Sequence, residues 1–433
     1  MNTTETPRRS PQRHAAGFTL VELMVALALS MMLVVVMLKT QTTMAQQTVH
    51  NADSSVRDGE MRTALDVVGR SVSGAGFVLG GTQYQCNEMF TYNATAQSTS
   101  LFFTHHPVDA VAASNNLFLQ FASGLQLDYP PSASIPTDVL AVTSSRDPSG
   151  FDLNNAPSID INQNSAYTPS STGVVPVKSS FGAAALHHVG ILQSNLASRW
   201  ACFRMSFDAL GVANGSANVQ TNSGTLMPST FYNAFSPSMT TAGYGAFSDG
   251  GIFVQSQVVD MSANPAAATS VFYVDNNPAK YPFPVLMMAT YNFADDTLDA
   301  TGAQAIAAGV ISLQVRFGVD PGKTGAVTAY EDAATVTSSN HWDVIRTTKI
   351  LLISRSLTEE SDLTPTTSIP ACSGNQASTL TTPCIAVGSP AYNFKPITAV
   401  PSGAQNRRFM VSMMEIASRN LLWNCDGFVV CAK

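Results

Sequence analysis

The chain begins polar and then turns sharply apolar. Residues 18–38, FTLVELMVALALSMMLVVVML, hold 18 apolar residues out of 21, broken only by Thr19, Glu22 and Ser30. A helix of that length is about 31 Å long and matches a hydrocarbon core of about 30 Å. No proline falls between Pro11 and Pro107, so the helix is free to continue. Met61, Leu65, Val68 and Val72 step by four, three and four residues and form one apolar stripe. Arg57, Asp58, Glu60, Arg62 and Asp66 lie largely off that stripe, and Gly74 and Gly76 punctuate its end. The pattern predicts one helix from residue 18 to about residue 73, about 84 Å long. Its Thr-, Ser- and Gln-rich part at 39–47 leaves local unwinding open.

Beyond Phe77 the period changes from 3.6 to 2. Ile311, Leu313, Val315, Phe317 and Val319 alternate with Ser312, Gln314, Arg316, Gly318 and Asp320, which predicts a half-buried strand. Shorter β-like runs fall at 101–103, 117–121, 139–143, 200–207, 252–259, 271–274 and 350–353. A further run at 409–416 reads as strand or helix. Gly, Pro, Asn and Ser clusters separate these runs. The fold class is therefore α+β: a long N-terminal helix packed on a β-rich, mostly antiparallel head. Residues 77–433 exceed one comfortable core, so inserted loops or a second lobe are expected, with 144–185 and 209–250 the loop-rich candidates.

Charge around the apolar run sets its orientation. Residues 1–17 carry Arg8, Arg9 and Arg13 against one acid, Glu5, and only Lys39 closely follows the run. The positive-inside bias puts residues 1–17 in the cytoplasm and everything after Leu38 on the other side, a single-pass topology. Glu22 stands out. An ionised carboxylate in a membrane helix costs about 3 kcal/mol, while the Leu, Val and Phe residues of the span return about 4–7 kcal/mol. The segment inserts, but with a charge that wants a partner.

No small-residue cleavage site follows the apolar run, as it would in an ordinary secretory signal. The notable junction precedes it. Gly17 followed by Phe18, Thr19, Leu20, Val21 and Glu22 closely resembles the type IV prepilin (class III) signal. That resemblance implies cleavage after Gly17 by prepilin peptidase, N-methylation of the new terminus at Phe18, and Glu22 as the glutamate at the fifth mature position. Cleavage creates a cationic amine at Phe18, which Glu22 of a packed neighbour can face. Such a pair adds little net stability but penalises wrong registers, because an unpaired buried charge costs about 3–5 kcal/mol.

Further segments resemble the PilW-type minor pilins. Leu65, Asp66, Val67, Val68, Gly69 and Arg70, then Gly74 to Phe77, are similar to that family's helix end. Residues 313–320, LQVRFGVD, resemble one of its strands, with Phe317 where Tyr is commoner. Residues 342–356, WDVIRTTKILLISRS, resemble another, and Arg407, Arg408, Phe409, Arg419 and Asn420 a C-terminal element. The similarity covers the first 77 residues and about 305–420, leaving 78–300 and the tail after 420 unassigned. It implies a pilin-like fold organised as a leader at 1–17, a transmembrane and filament-core helix at 18–38, its amphipathic continuation at 39–76, and a periplasmic head at 77–433. It also implies a low-abundance pilin that helps initiate type IV pilus assembly, near the tip. Its expected partners are prepilin peptidase/N-methyltransferase, other minor pilins and the major pilin, the inner-membrane assembly machinery, and the bilayer around 18–38. The expected location is the inner membrane and the fibre at the cell surface. A type II secretion pseudopilin, or a tip adhesion or DNA-uptake module, is the alternative.

Composition narrows the chemistry. Only 12% of residues are charged, about half the usual share, and the formal net charge is -7. Nucleic acid is therefore not an expected partner, since phosphate binding needs clustered Lys and Arg. The six cysteines, Cys86, Cys202, Cys372, Cys384, Cys425 and Cys431, all lie beyond the membrane span, where the compartment favours disulfides. Fifteen connectivities are possible. The simplest joins Cys372 to Cys384 and Cys425 to Cys431, leaving Cys86 with Cys202. No closely spaced cysteine pair suggests a metal, and no cofactor is expected. His105–His106 and His187–His188 are neighbours that on a strand point apart. Asp295, Thr297 and Asp299 loosely resemble a calcium loop, but Ile306 stands at the twelfth position. Gly318 to Thr324 nearly matches a phosphate-binding loop, with a residue too few, an internal Pro321 and no clear helix start after it, so a turn between strands is expected. No motif supports catalysis, so the chain is not expected to be an enzyme.

Overall fold

The computed structural model describes residues 19–75, 134–145 and, with short breaks, 267–417, together with strand backbones between residues 88 and 260. Two compact units divide the chain, Met1–Arg57 and Asp58–Lys433.

Helix α1 spans Leu20–Ser73, 54 residues, close to the predicted bounds. In the first unit its apolar side chains are exposed on every face, from Leu20 at 75% to Leu38 at 56%. By length and composition this helix is able to cross a membrane. The polar stretch does not unwind. Thr40, Thr43 and Thr48 donate their hydroxyls to the carbonyls of Val36, Lys39 and Met44, each at 2.9 Å, so the hydroxyls are satisfied within the helix.

Among the described residues, the second unit holds four sheets. Eight strands that build its core are labelled in chain order: β1 Asp138–Ser145, β2 Ala267–Asp275, β3 Val285–Asn292, β4 Gln304–Ala308, β5 Val310–Val319, β6 Ala329–Glu331, β7 Ile345–Arg355 and β8 Phe409–Ala417. A short helix, α2 Ala333–Ser339, follows β6. One sheet joins β3, β2 and β1 to Val108–Ala112, with β4 and Thr297–Leu298 both on β3. The other runs β6-β5-β7-β8, all antiparallel. Gly309 makes the step between them. Its φ is +76°, its N–H donates to Pro284 O at 2.7 Å, and its carbonyl accepts the Arg355 N–H at 2.8 Å. A Cβ there would sit 2.5 Å from the Arg355 carbonyl oxygen, so only glycine fits. A third sheet includes Glu88–Asn93 and Arg199–Phe207, which pair in parallel, and a fourth joins Val174–Val177, Ser216–Gln220 and Ala209–Ala213. The regions expected to be loop-rich thus contain short strands. Residues 409–416 are strand, not helix.

Met61, Ala64, Val68 and Val72 of α1 are buried against Leu313, Val315, Phe317, Ile350 and Leu352 and against Phe272 and Leu286 of the neighbouring sheet. The predicted stripe is therefore the helix's core face, except that Leu65 is only partly buried beside it. Each fully buried side chain of this kind contributes about 1.5–3 kcal/mol. Gly69 brings α1 close to β8, where a Cβ would meet the Met414 methyl at 2.4 Å.

The strand at β5 departs from expectation. It is not half-buried: Ser312, Gln314, Arg316 and Asp320 are buried as well. An irregular layer from Ile369 to Ala404 covers that second face, packing Ile369, Ile385, Phe394 and Ile397 on Leu351 and Ile353. Alternation in sequence marks which residues share a face; it does not say whether the polar face meets water or a second layer.

Candidate functional site

At the N-terminal end, Glu22 lies in an interlocked first turn of α1. Its carboxylate accepts from the Thr19 N–H and hydroxyl, each at 3.1 Å, and its own N–H donates to the Thr19 hydroxyl at 3.2 Å. This is a capping box, with Thr19 as cap and Glu22 three residues in. The signal for this cap is the local Thr-x-x-Glu spacing. The carboxylate also favours the positive end of the helix dipole. Exposed apolar side chains flank it on both sides, Leu20 and Val21 before it and Leu23 after it, and within one chain Glu22 has a helical role and no cationic partner among the described residues. Gly17 and Phe18 lie outside the described residues.

In the second unit the structure gathers residues far apart in sequence. Arg355–Ser356 and Arg407–Arg408 meet at the β7–β8 end, where Arg355 is in register with Phe409. Arg407 reaches the Ser356 and Leu357 carbonyls and pairs with Glu359 at 3.0 Å. Arg408 pairs with Glu360 at 2.8 Å, and its N–H donates to the Ser356 hydroxyl. The two arginines therefore clamp the chain leaving β7.

Asp138 stitches the two sheets together. One carboxylate oxygen accepts the Val315 N–H at 2.8 Å and an Arg316 N–H at 3.3 Å. Arg316 is 2% exposed; it also donates to the Asn393 and Val315 carbonyls and lies over Phe394. Burial raises the pKa of Asp138, outweighing the opposing pull of Arg316 and the Val315 N–H. Gln314 mimics a strand edge, donating to Lys395 O and accepting from Lys395 N.

On the same sheet, buried Lys349 pairs with Glu415 at 2.9 Å and lies over the rings of Tyr392 and Tyr330 at 3.4 and 4.6 Å. Tyr330 donates its hydroxyl to Glu415 at 2.6 Å. Burial would lower the pKa of Lys349, but the bonds to Glu415 and Tyr392 overcome this and raise it. None of these partners is visible from sequence spacing, because the box is assembled from β6, β7, β8 and the covering layer.

The near-match to a phosphate-binding loop is a turn between β5 and β6. Asp320 occupies its centre, accepting N–H groups of Thr324 and Gly325 at 2.9 and 2.6 Å, the Thr324 hydroxyl, and Arg346. Burial pushes the Asp320 carboxyl up, but these donors outweigh it and hold it below the usual range. The backbone N–H groups that would cradle a phosphate are thus already taken by a carboxylate.

Cys372 and Cys384 form a disulfide, with Cα atoms 5.0 Å apart. It ties the covering layer to itself, beside the Cys372 N–H to Ile385 carbonyl bond. Cys202 lies on Arg199–Phe207, opposite Met89 and Gln193 in register. Cys86, Cys425 and Cys431 lie outside the described residues, as do His105, His106, His187, Asp295 and Asp299. Ile306 packs against the core.

Comparison with known proteins gives two matches. Residues 271–408 match the family described as Type IV Pilus-assembly protein W, and residues 12–38 match the prokaryotic N-terminal methylation motif. The first match begins inside the middle segment that residue patterns left unassigned, and ends before Arg419 and Asn420. No curated protein and no solved structure matches the chain. The two matched families describe structural components of pilus assembly rather than enzymes.

Proposed function

We propose that this chain, a PilW-type, type IV pilus-related minor pilin with a prepilin signal, is cleaved after Gly17, methylated at Phe18 and enters the pilus fibre, where it acts in the initiation of assembly near the tip. The observation that carries this reading is the pairing of the two matches: a methylation motif around an apolar helix whose side chains find no packing partner in their own unit, and a PilW match across the sheets of the second unit. In the membrane the helix at 18–38 holds the protein with its leader in the cytoplasm and its head in the periplasm; in the fibre the same surface packs on neighbouring subunits. Glu22 then faces the methylated amine of a neighbour. Its partners are the peptidase, other minor pilins, the major pilin and the inner-membrane assembly machinery, and it performs no catalysis.

The capping box allows a sharp test. Glu22→Gln keeps an oxygen for Thr19 but removes the charge, whereas Glu22→Val removes both. Both variants are expected to remain membrane-inserted and to be depleted from sheared filaments, as read by immunoblot. Wild-type amounts of the Gln variant in filaments would reject charge pairing as the role of Glu22. N-terminal sequencing of the mature chain is expected to yield N-methyl-Phe18.

A further inference from the structure

A cavity of about 300 Å³ opens beside the β7–β8 end of the second unit, and no sequence motif accounts for it. Its walls are apolar: Ile135, Val139, Val274, Ile311, Val400 and Phe409. Six polar residues line it, namely Ser134, Thr137, Asp138, Tyr273, Asn276 and Arg355. Asp138 is already committed to Val315 and Arg316. Arg355 is not committed. Its backbone N–H goes to Gly309, but among the described residues its guanidinium has no hydrogen-bond partner, and its Nε is buried. Glu359 is within electrostatic reach of Arg355 but bonds Arg407, whose own cation also acts on Arg355. The Tyr273 hydroxyl and the Asn276 amide likewise have no hydrogen-bond partner among the described residues.

A partly buried guanidinium without an acid is costly, and such groups are normally paired. Apolar walls with a few convergent donors are the usual make-up of a small-molecule site, and this volume is at the small end of such pockets, about 300–1,000 Å³. We propose that this cavity binds a carboxylate carried on a compact apolar body, with the Arg355 guanidinium receiving the carboxylate and the Tyr273 hydroxyl and Asn276 amide supplying further donors. A phosphate dianion fits less well: it would ask for more than one free cation, and its second charge would add to the repulsion from the Asp138 carboxylate that a monoanion feels only once. The planar fork of Arg355 matches the two oxygens of a carboxylate. The carboxylate has two natural sources, a free small acid or the terminus of a peptide whose last residue is apolar.

The test uses the full mature chain in non-ionic detergent. Calorimetric titrations compare isocaproate with isocaproamide, and acetyl-Ala-Ala-Leu acid with its C-terminal amide. One or both acids are expected to bind, with the matching amide weaker by about tenfold or more. The tighter of the two acids identifies the source. Arg355→Gln is expected to abolish the preference for acid over amide, and Tyr273→Phe to weaken the acid at an unchanged melting temperature. Equal binding of acid and amide, no binding of either acid, or a retained preference in Arg355→Gln would overturn the proposal. The wild-type comparison of acid with amide decides even if the arginine variant does not fold.

Discussion

The bond between Asp138 and Arg316 lends itself to a quantitative test of how the two core sheets are joined. Arg316 is 2% exposed, and among the described residues Asp138 is the carboxylate bonded to it, at 3.3 Å. In Asp138→Ala the guanidinium keeps the Asn393 and Val315 carbonyls and the Phe394 ring, 5.4 Å away, but loses its counter-charge. The Val315 N–H loses its acceptor too. Breaking a buried pair from one side costs about 3–5 kcal/mol, and Arg316→Met, which strands the carboxylate, should cost a similar amount. The raised pKa of Asp138 shows that burial outweighs the attraction of Arg316, so the pair as a whole is not a strong net stabiliser. Replacing both together should therefore cost about as much as either single change. The expected coupling is about the size of one single cost, about 3–5 kcal/mol, read from urea unfolding of the full mature chain followed by circular dichroism. If the single costs add to within about 0.5 kcal/mol, the two groups are not coupled and the reasoning fails.

Two other outcomes follow from the same structure. Closing the short loop between Cys372 and Cys384, 12 residues apart, restricts the unfolded chain by about 3 kcal/mol, so replacing both with Ser should lower stability by that order; an unchanged melting temperature under reductant would contradict it. The folded pKa of Asp320 lies below its unfolded value, so its contribution is complete above the unfolded pKa and is lost as pH falls through the folded one. The stability difference between wild type and Asp320→Asn should therefore be steady above about pH 5 and shrink below about pH 4; a difference that grows on acidification would refute the assignment.

Local information was enough for the long helix and for its two characters. Eighteen apolar residues out of twenty-one, no proline and a four-three-four stripe depend only on the neighbours within a turn or two, and α1 spans Leu20–Ser73 with Met61, Val68 and Val72 buried. Strand positions at β1, β2, β5, β7 and β8 were legible for the same reason. The segment matching the N-terminal methylation motif, residues 12–38, is likewise a contiguous string. The Thr19–Glu22 cap is equally local, set by a three-residue spacing.

What the chain pattern did not contain is which distant segments share a layer. Arg316 and Gln314 look solvent-facing until residues 393–395 are laid over them, and Lys349 looks like a surface lysine until Tyr330, Tyr392 and Glu415 surround it. Arg355 reads as a strand end until β1, β2 and the turn at 399–404 enclose it. Periodicity reports the geometry of a single strand or helix, with a range of a few residues. Burial, ion pairing and the cavity depend on contacts between segments tens to well over a hundred residues apart in the chain, and only the tertiary structure determines them.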